Sequence, residues 1–130
     1  MSGSEAETAK RGLTMSPHLS LAVDGAGLTF VSGQLAFIDG QLMPGDIVDQ
    51  TAQTLANIEA VLLERGLTRR NIVKTTVWIT KSSDFHEFNE AYAEFFGDVR
   101  PARSTVIAEL AIPEALVEIE AVATALEDPV

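Results

Sequence analysis

The sequence predicts an α+β domain, with one mixed sheet covered on one face by two helices. Three observations carry that expectation. Strand-like segments and two helical stripes follow one another in the order β-β-short β-α-β-α-β-β, a pattern of mixed strands and few helices that points to a layered α+β fold. The chain has 130 residues, enough for one domain that buries roughly 70% of its extended surface. Its composition, 46% apolar and 22% charged, is that of an ordinary globular protein rather than a disordered or fibrous one.

Residues 1–13 hold few large apolar groups and no periodicity, and they read as a disordered polar tail. Residues 14–130 read as a single domain. Residues 18–23 are expected to be the first strand. Asp24-Gly25-Ala26-Gly27 is a turn signal, and Leu28–Gln34 completes a hairpin. Gly33, near the end of that strand, marks a bulge or a close approach to the backbone. Asp39-Gly40 and Pro44-Gly45 are further turns. Asp46 then caps a helix over 47–65, with Val48, Ala52, Leu55, Ile58 and Leu62 as its inward stripe and Gly66 as its stop. The clearest strand spans 72–80. It sets Val73, Thr75, Val77 and Ile79 against Lys74, Thr76, Trp78 and Thr80, so both faces carry residues that favour strands. Asp84 and Glu87 form a variant capping box for a helix over 84–96. Its stripe of Phe85, Phe88, Tyr92 and Phe95 or Phe96 is core material. Trp78 is assigned to packing. Strands over 103–110 and 115–126, separated by a loop at Pro113, bring the sheet to six.

Nine basic against nineteen acidic residues give a net charge of −10. Such a surface repels phosphate backbones, so nucleic acid is not an expected partner. The absence of cysteine excludes disulfides, zinc–thiolate sites and thiol nucleophiles. No apolar run approaches the roughly 18–20 residues of a membrane span, and the N-terminal stretch lacks the apolar region of a signal peptide. A cytoplasmic location without membrane contact is therefore expected.

The last strand has an unusual second face. Leu116, Val122, Thr124 and Leu126 share it with Glu118 and Glu120. A mostly apolar outer row suggests oligomerisation, and two carboxylates within it need partners. Arg100 and Arg103 are the nearby cations, and Arg103 shares strand parity with Thr105, Ile107 and Glu109. Its guanidinium either grips a small carboxylate bidentately or forms an interface salt bridge with Glu118 or Glu120. In a simple hairpin about Pro113, Glu118 would face a residue near Ile107, leaving Arg103 roughly 13 Å away. Direct pairing thus requires another strand order or a neighbouring subunit.

Pro101-Ala102-Arg103-Ser104-Thr105-Val106, Leu110 and Val117-Glu118-Ile119-Glu120-Ala121-Val122-Ala123 resemble the signature of the Rid family (RidA/YjgF), the reactive-intermediate imine deaminases. The segments at 30–34 and 72–77 agree in order and spacing. So does the helical set Asp84, Phe85, Asn89, Tyr92, Phe95 and Phe96, and the resemblance covers about residues 16–126. It implies a chorismate-mutase-like fold and a homotrimer with sites in clefts between subunits. It also implies hydrolysis of 2-imino or 2-enamino acids, such as 2-aminoacrylate and 2-iminopropanoate, to 2-keto acids and ammonia, with neither metal nor organic cofactor. Carried over residue by residue, Arg103 would hold the substrate carboxylate and Glu118 would activate water. The backbones of Gly33 and Thr105 would touch the ligand, with Ser32 and Asn89 lining the cleft. Glu120 is read as structural and His86 as solvated.

Two departures stand out. His18 follows Pro17 where many members with deaminase activity carry Tyr, in a segment one residue longer than expected; it is either a donor at the cleft mouth or a rim residue. Thr105 stands where some members have Cys. The competing readings are a non-catalytic small-carboxylate binder, a deaminase specialised for another enamine such as aminomuconate, and RNA cleavage, which the acidic charge opposes.

Overall fold

A two-residue loop begins the sheet. β1 (Ala22–Gly25) and β2 (Leu28–Gln34) pair antiparallel, with Gly25 opposite Leu28. Between them Ala26 and Gly27 have φ of 54° and 79°, the left-handed pair that a tight hairpin turn demands. The computed structural model describes residues 17–126; the expected tail over 1–13 lies outside them. β3 (Phe37–Ile38) and β4 (Gln41–Leu42) form a separate small hairpin. Then follow α1 (Ile47–Leu63), β5 (Ile72–Ile79), α2 (Phe85–Phe96), β6 (Ala102–Ile107) and β7 (Val117–Thr124). The main sheet has the order β1-β2-β7-β5-β6. β5 runs parallel to β6 and antiparallel to β7.

The expected six-stranded sheet is therefore five strands plus the β3–β4 hairpin. The first strand starts at Ala22 rather than at 18, because residues 18–21 lack a ladder. The Leu19 N–H turns back to the Pro17 carbonyl, and only Ser32 reaches this segment, through N–H to Leu21 O and Oγ to Ser20 O. β6 stops at Ile107 because its partner β5 stops at Ile79.

α1 is capped as expected. Asp49 N–H donates to Asp46 Oδ1 at 3.0 Å, and Asp46 N–H donates back to Asp49 Oδ2 at 3.3 Å. Its buried face differs from the expected stripe: Ile47, Thr51, Thr54, Leu55, Ile58, Val61 and Leu62 point inward, while Val48 and Ala52 are exposed. Thr51 and Thr54 occupy positions that a hydropathy pattern reserves for apolar residues, and their hydroxyls are buried without a partner. α2 lacks the expected side-chain cap. Asp84 closes a 3-10 turn, Ser82–Asp84, with φ −87° and ψ −6°, whereas a capping side chain needs extended backbone beneath it.

The core lies between the helices and one face of the sheet. Leu55, Ile58 and Leu62 of α1 and Phe88, Tyr92 and Phe96 of α2 pack with Val77, Ile79, Val117, Ile119, Ala121 and Ala123. Tyr92 Oη and Thr75 Oγ1 share a hydrogen bond of 2.7 Å beneath α2. Arg69 ties both helices together. It donates to Glu59 through Nε (3.0 Å) and a terminal nitrogen (2.6 Å), donates to the Phe95 carbonyl, and stacks on the Phe95 ring at 4.0 Å. The other sheet face has no covering layer among the described residues. Val23 (57% exposed), Phe30 (46%) and Val106 (42%) lie on it. No helix of the described residues is long and apolar enough to cross a membrane.

Candidate active site

Strand register decides where each candidate residue points. Arg103 pairs with Thr75, which pairs in turn with Ala121. Thr75 and Ala121 are buried under the helices, so Arg103 faces the helix side, at the edge of the sheet. There its guanidinium carbon lies 4.8 Å from the Tyr92 ring centroid, 5.3 Å from Phe88 and 5.9 Å from Phe85. Three aromatic rings hold a half-buried cation by their negative faces and restrict its rotamers. Among the described residues Arg103 makes no ion pair. Burial pushes the Tyr92 phenol up, against the Thr75 hydrogen bond and the Arg103 charge, which pull it down; it therefore stays neutral beneath the guanidinium.

Thr105 and Ile107 continue the same row of β6. With Ser82 and Phe85 they line a recess of about 300 Å³. Asn89 lies one helical turn beyond Phe85 on α2, half-buried.

Glu118 faces the other way. It pairs with Trp78 on the uncovered face of the sheet. Opposite it the β2–β7 ladder is irregular between Val31 and Gln34, a bulge that carries Ser32 and Gly33. A Cβ built on Gly33 would collide with Glu118 Oε2 and stand 3.1 Å from its Cδ. Only glycine leaves room for the carboxylate to lie against the backbone. Burial raises the Glu118 carboxyl above the ordinary range, and the like charge of Glu120 raises it further. Lys74, which shares this face, donates instead to Ser104 Oγ and the Thr75 carbonyl, 3.1 Å each. The Ser32 hydroxyl is engaged with Ser20 O at 2.6 Å. Glu120 is exposed on the same face. His18 is exposed ahead of β1, and His86 is exposed beside Glu90 at 3.7 Å.

Two clusters result. Arg103, Thr105 and Asn89 belong to the helix side, and Gly33, Ser32 and Glu118 to the uncovered side. The interface salt bridge weighed from the sequence, Arg103 with Glu118 or Glu120, does not form within the chain. β5 does separate β6 from β7, so the order is not a hairpin, but the register also turns the two side chains to opposite faces.

The profile of the family described as Endoribonuclease L-PSP matches residues 11–125. A RutC family protein of Pyrococcus horikoshii is 40% identical over 107 residues, covering 80% of this chain and 84% of that protein. The 2-iminobutanoate/2-iminopropanoate deaminase of Capra hircus is 36% identical over 118 residues, covering 89% of this chain and 85% of its own. The chain belongs to the Rid (RutC/YjgF) family. Among solved structures, Escherichia coli TdcF with bound serine superposes with a TM-score of 0.77 at 34% identity, covering 86% of this chain and 91% of that one. The two helices on a mixed sheet are shared with such neighbours. Within this Rid chain the residues that sequence reading missed are Ser82, Phe85 and Ile107 of the recess. A signal existed: Ile107 has the strand parity of Arg103 and Thr105. Phe85 was hidden because its helical spacing matches the core stripe, yet it is 41% exposed.

Proposed function

We propose that this Rid protein hydrolyses small 2-imino acids to 2-keto acids and ammonium, in a site that two copies of the chain complete within a homotrimer. The observation that carries this reading is Arg103: a half-buried guanidinium, held by three rings, with no carboxylate beside it among the described residues. Such a group is prepared for a carboxylate that comes from outside. The serine bound to TdcF has a carboxylate and a nitrogen on adjacent carbons, the same polar pattern as a 2-imino acid. The uncovered apolar face supplies a surface on which a second copy would bring Glu118 and Gly33 toward Arg103.

In this mechanism the substrate carboxylate accepts two parallel hydrogen bonds from Arg103. An iminium carbon is already electrophilic, so the protein needs to add orientation, a water and a proton relay. Glu118 takes a proton as the water oxygen bonds to C2 and the C=N electron pair moves to nitrogen. It returns that proton to the amine. The C–N bond then breaks as the hydroxyl becomes the carbonyl, and the hydroxyl proton leaves with ammonia as ammonium. A carboxyl with a raised pKa suits both halves of that relay.

The test generates 2-iminopropanoate with an amino-acid oxidase and follows its decay. Faster decay with the protein, lost in Arg103→Ala, is the expected result; decay no faster than in buffer would overturn the reading. Glu118→Gln separates catalysis from mere carboxylate binding: pyruvate binding is expected to persist while turnover disappears.

A further inference from the structure

Phe85 and Ile107 are large apolar side chains left 41% and 49% exposed. Both line the recess of about 300 Å³, with Ser82 and Thr105 completing its wall. The recess adjoins the cation. Arg103, Thr105 and Ile107 stand in one row of β6, successive members roughly 7 Å apart, and the Phe85 centroid is 5.9 Å from the guanidinium carbon. A ligand whose carboxylate rests on Arg103 therefore has its remaining atoms directed past Thr105 toward an apolar end. A single methyl leaves the Ile107 end uncovered. An isobutyl, sec-butyl or benzyl group extends toward that end and would cover part of the apolar wall that Phe85 and Ile107 present.

We propose that the site prefers 2-imino acids with bulky apolar side chains, of the kind derived from leucine, isoleucine or phenylalanine, over 2-iminopropanoate. Phe85 and Ile107 are its specificity-determining residues. The inference rests on the deaminase reading above for its chemistry, while the geometry of the recess is independent of turnover. Each methylene moved out of water is worth about fourfold in binding. A half-open recess that covers two of the three extra carbons of a leucine-type side chain gives roughly a tenfold preference in kcat/KM.

The experiment compares the imines of leucine and alanine, each made in situ by an amino-acid oxidase, on the full chain. A ratio of kcat/KM near ten or above in favour of the leucine imine supports the proposal; a ratio near one or below overturns it. Ile107→Thr keeps a β-branched residue in an edge strand and so preserves folding. It is expected to lower the ratio several-fold, and an unchanged ratio would remove Ile107 from the assignment. Calorimetric binding of 4-methyl-2-oxopentanoate against pyruvate provides a readout without turnover. If neither imine is hydrolysed, the deaminase reading fails; a sustained binding preference then upholds the recess, and equal binding overturns it.

Discussion

Two arginines stack on the aromatic residues of α2, and among the described residues only one of them has a carboxylate. Arg69 lies over Phe95 and holds Glu59 through two nitrogens. Arg103 lies near Phe85, Phe88 and Tyr92 and holds none among the described residues. The acids differ in the same way. The hydrogen bonds from Arg69 keep the Glu59 carboxyl below its ordinary value despite burial, while burial and Glu120 keep Glu118 above it. A completed pair stabilises the fold and is chemically inert. A cation and an acid held apart, each partly desolvated, cost stability and remain available for a substrate.

The largest expected effect separates the two arginines. Arg103→Ala should lower imine hydrolysis on the order of a hundredfold or more through loss of orientation, while the thermal midpoint falls by no more than about 4 °C, because the ring contacts are worth about 1 kcal/mol. Arg69→Ala should do the reverse: a loss of about 2 kcal/mol from its charged hydrogen bonds, hence roughly 8 °C in Tm, with kcat intact in the folded fraction. Parallel calorimetry and initial rates check both, and a large Tm drop in Arg103→Ala would break the contrast.

Gly33→Ala comes next. The added methyl displaces the Glu118 carboxylate, so kcat should fall roughly tenfold, as expected when a catalytic group is misplaced, with pyruvate affinity changing less.

The two glutamates should also respond oppositely to pH. Glu59, lowered in the fold, contributes stability above the ordinary carboxylate range that is lost as pH falls through its folded value. Glu118, raised in the fold, imposes a penalty that is complete above its folded value and vanishes once both states are protonated. Accordingly Glu59→Gln should lower Tm at neutral pH and Glu118→Gln should raise it slightly, with both differences closing in acid. The smallest effect belongs to Glu120→Gln. Removal of that like charge lowers the Glu118 carboxyl, so the acid limb of the rate profile should move to lower pH.

Much of the fold was legible because it is local. Asp46 caps α1, Gly66 turns the chain after it, and the β1–β2 turn sits on Ala26-Gly27, as chain-neighbour chemistry requires. Gly33 was readable as a bulge or a close approach, and in the structure it serves as both. The faces were harder. Which side of the sheet Arg103 occupies depends on β5 lying between β6 and β7, a non-local pairing that periodicity does not encode. α1 was read rotated because Thr51 and Thr54 are buried against their polarity. The recess was missed because Phe85 has core spacing but sits at the open end of its stripe.

The placement of β5 has a last consequence for how damage would be inherited. If each copy lends its guanidinium to one neighbour and its acid to another, a chain crippled in Arg103 and a chain crippled in Glu118 are both dead alone and partly alive together. Mixed one to one and reassembled, they regain about one intact crevice in four. Dilution that dissociates the assembly would silence the wild type as thoroughly as either lesion.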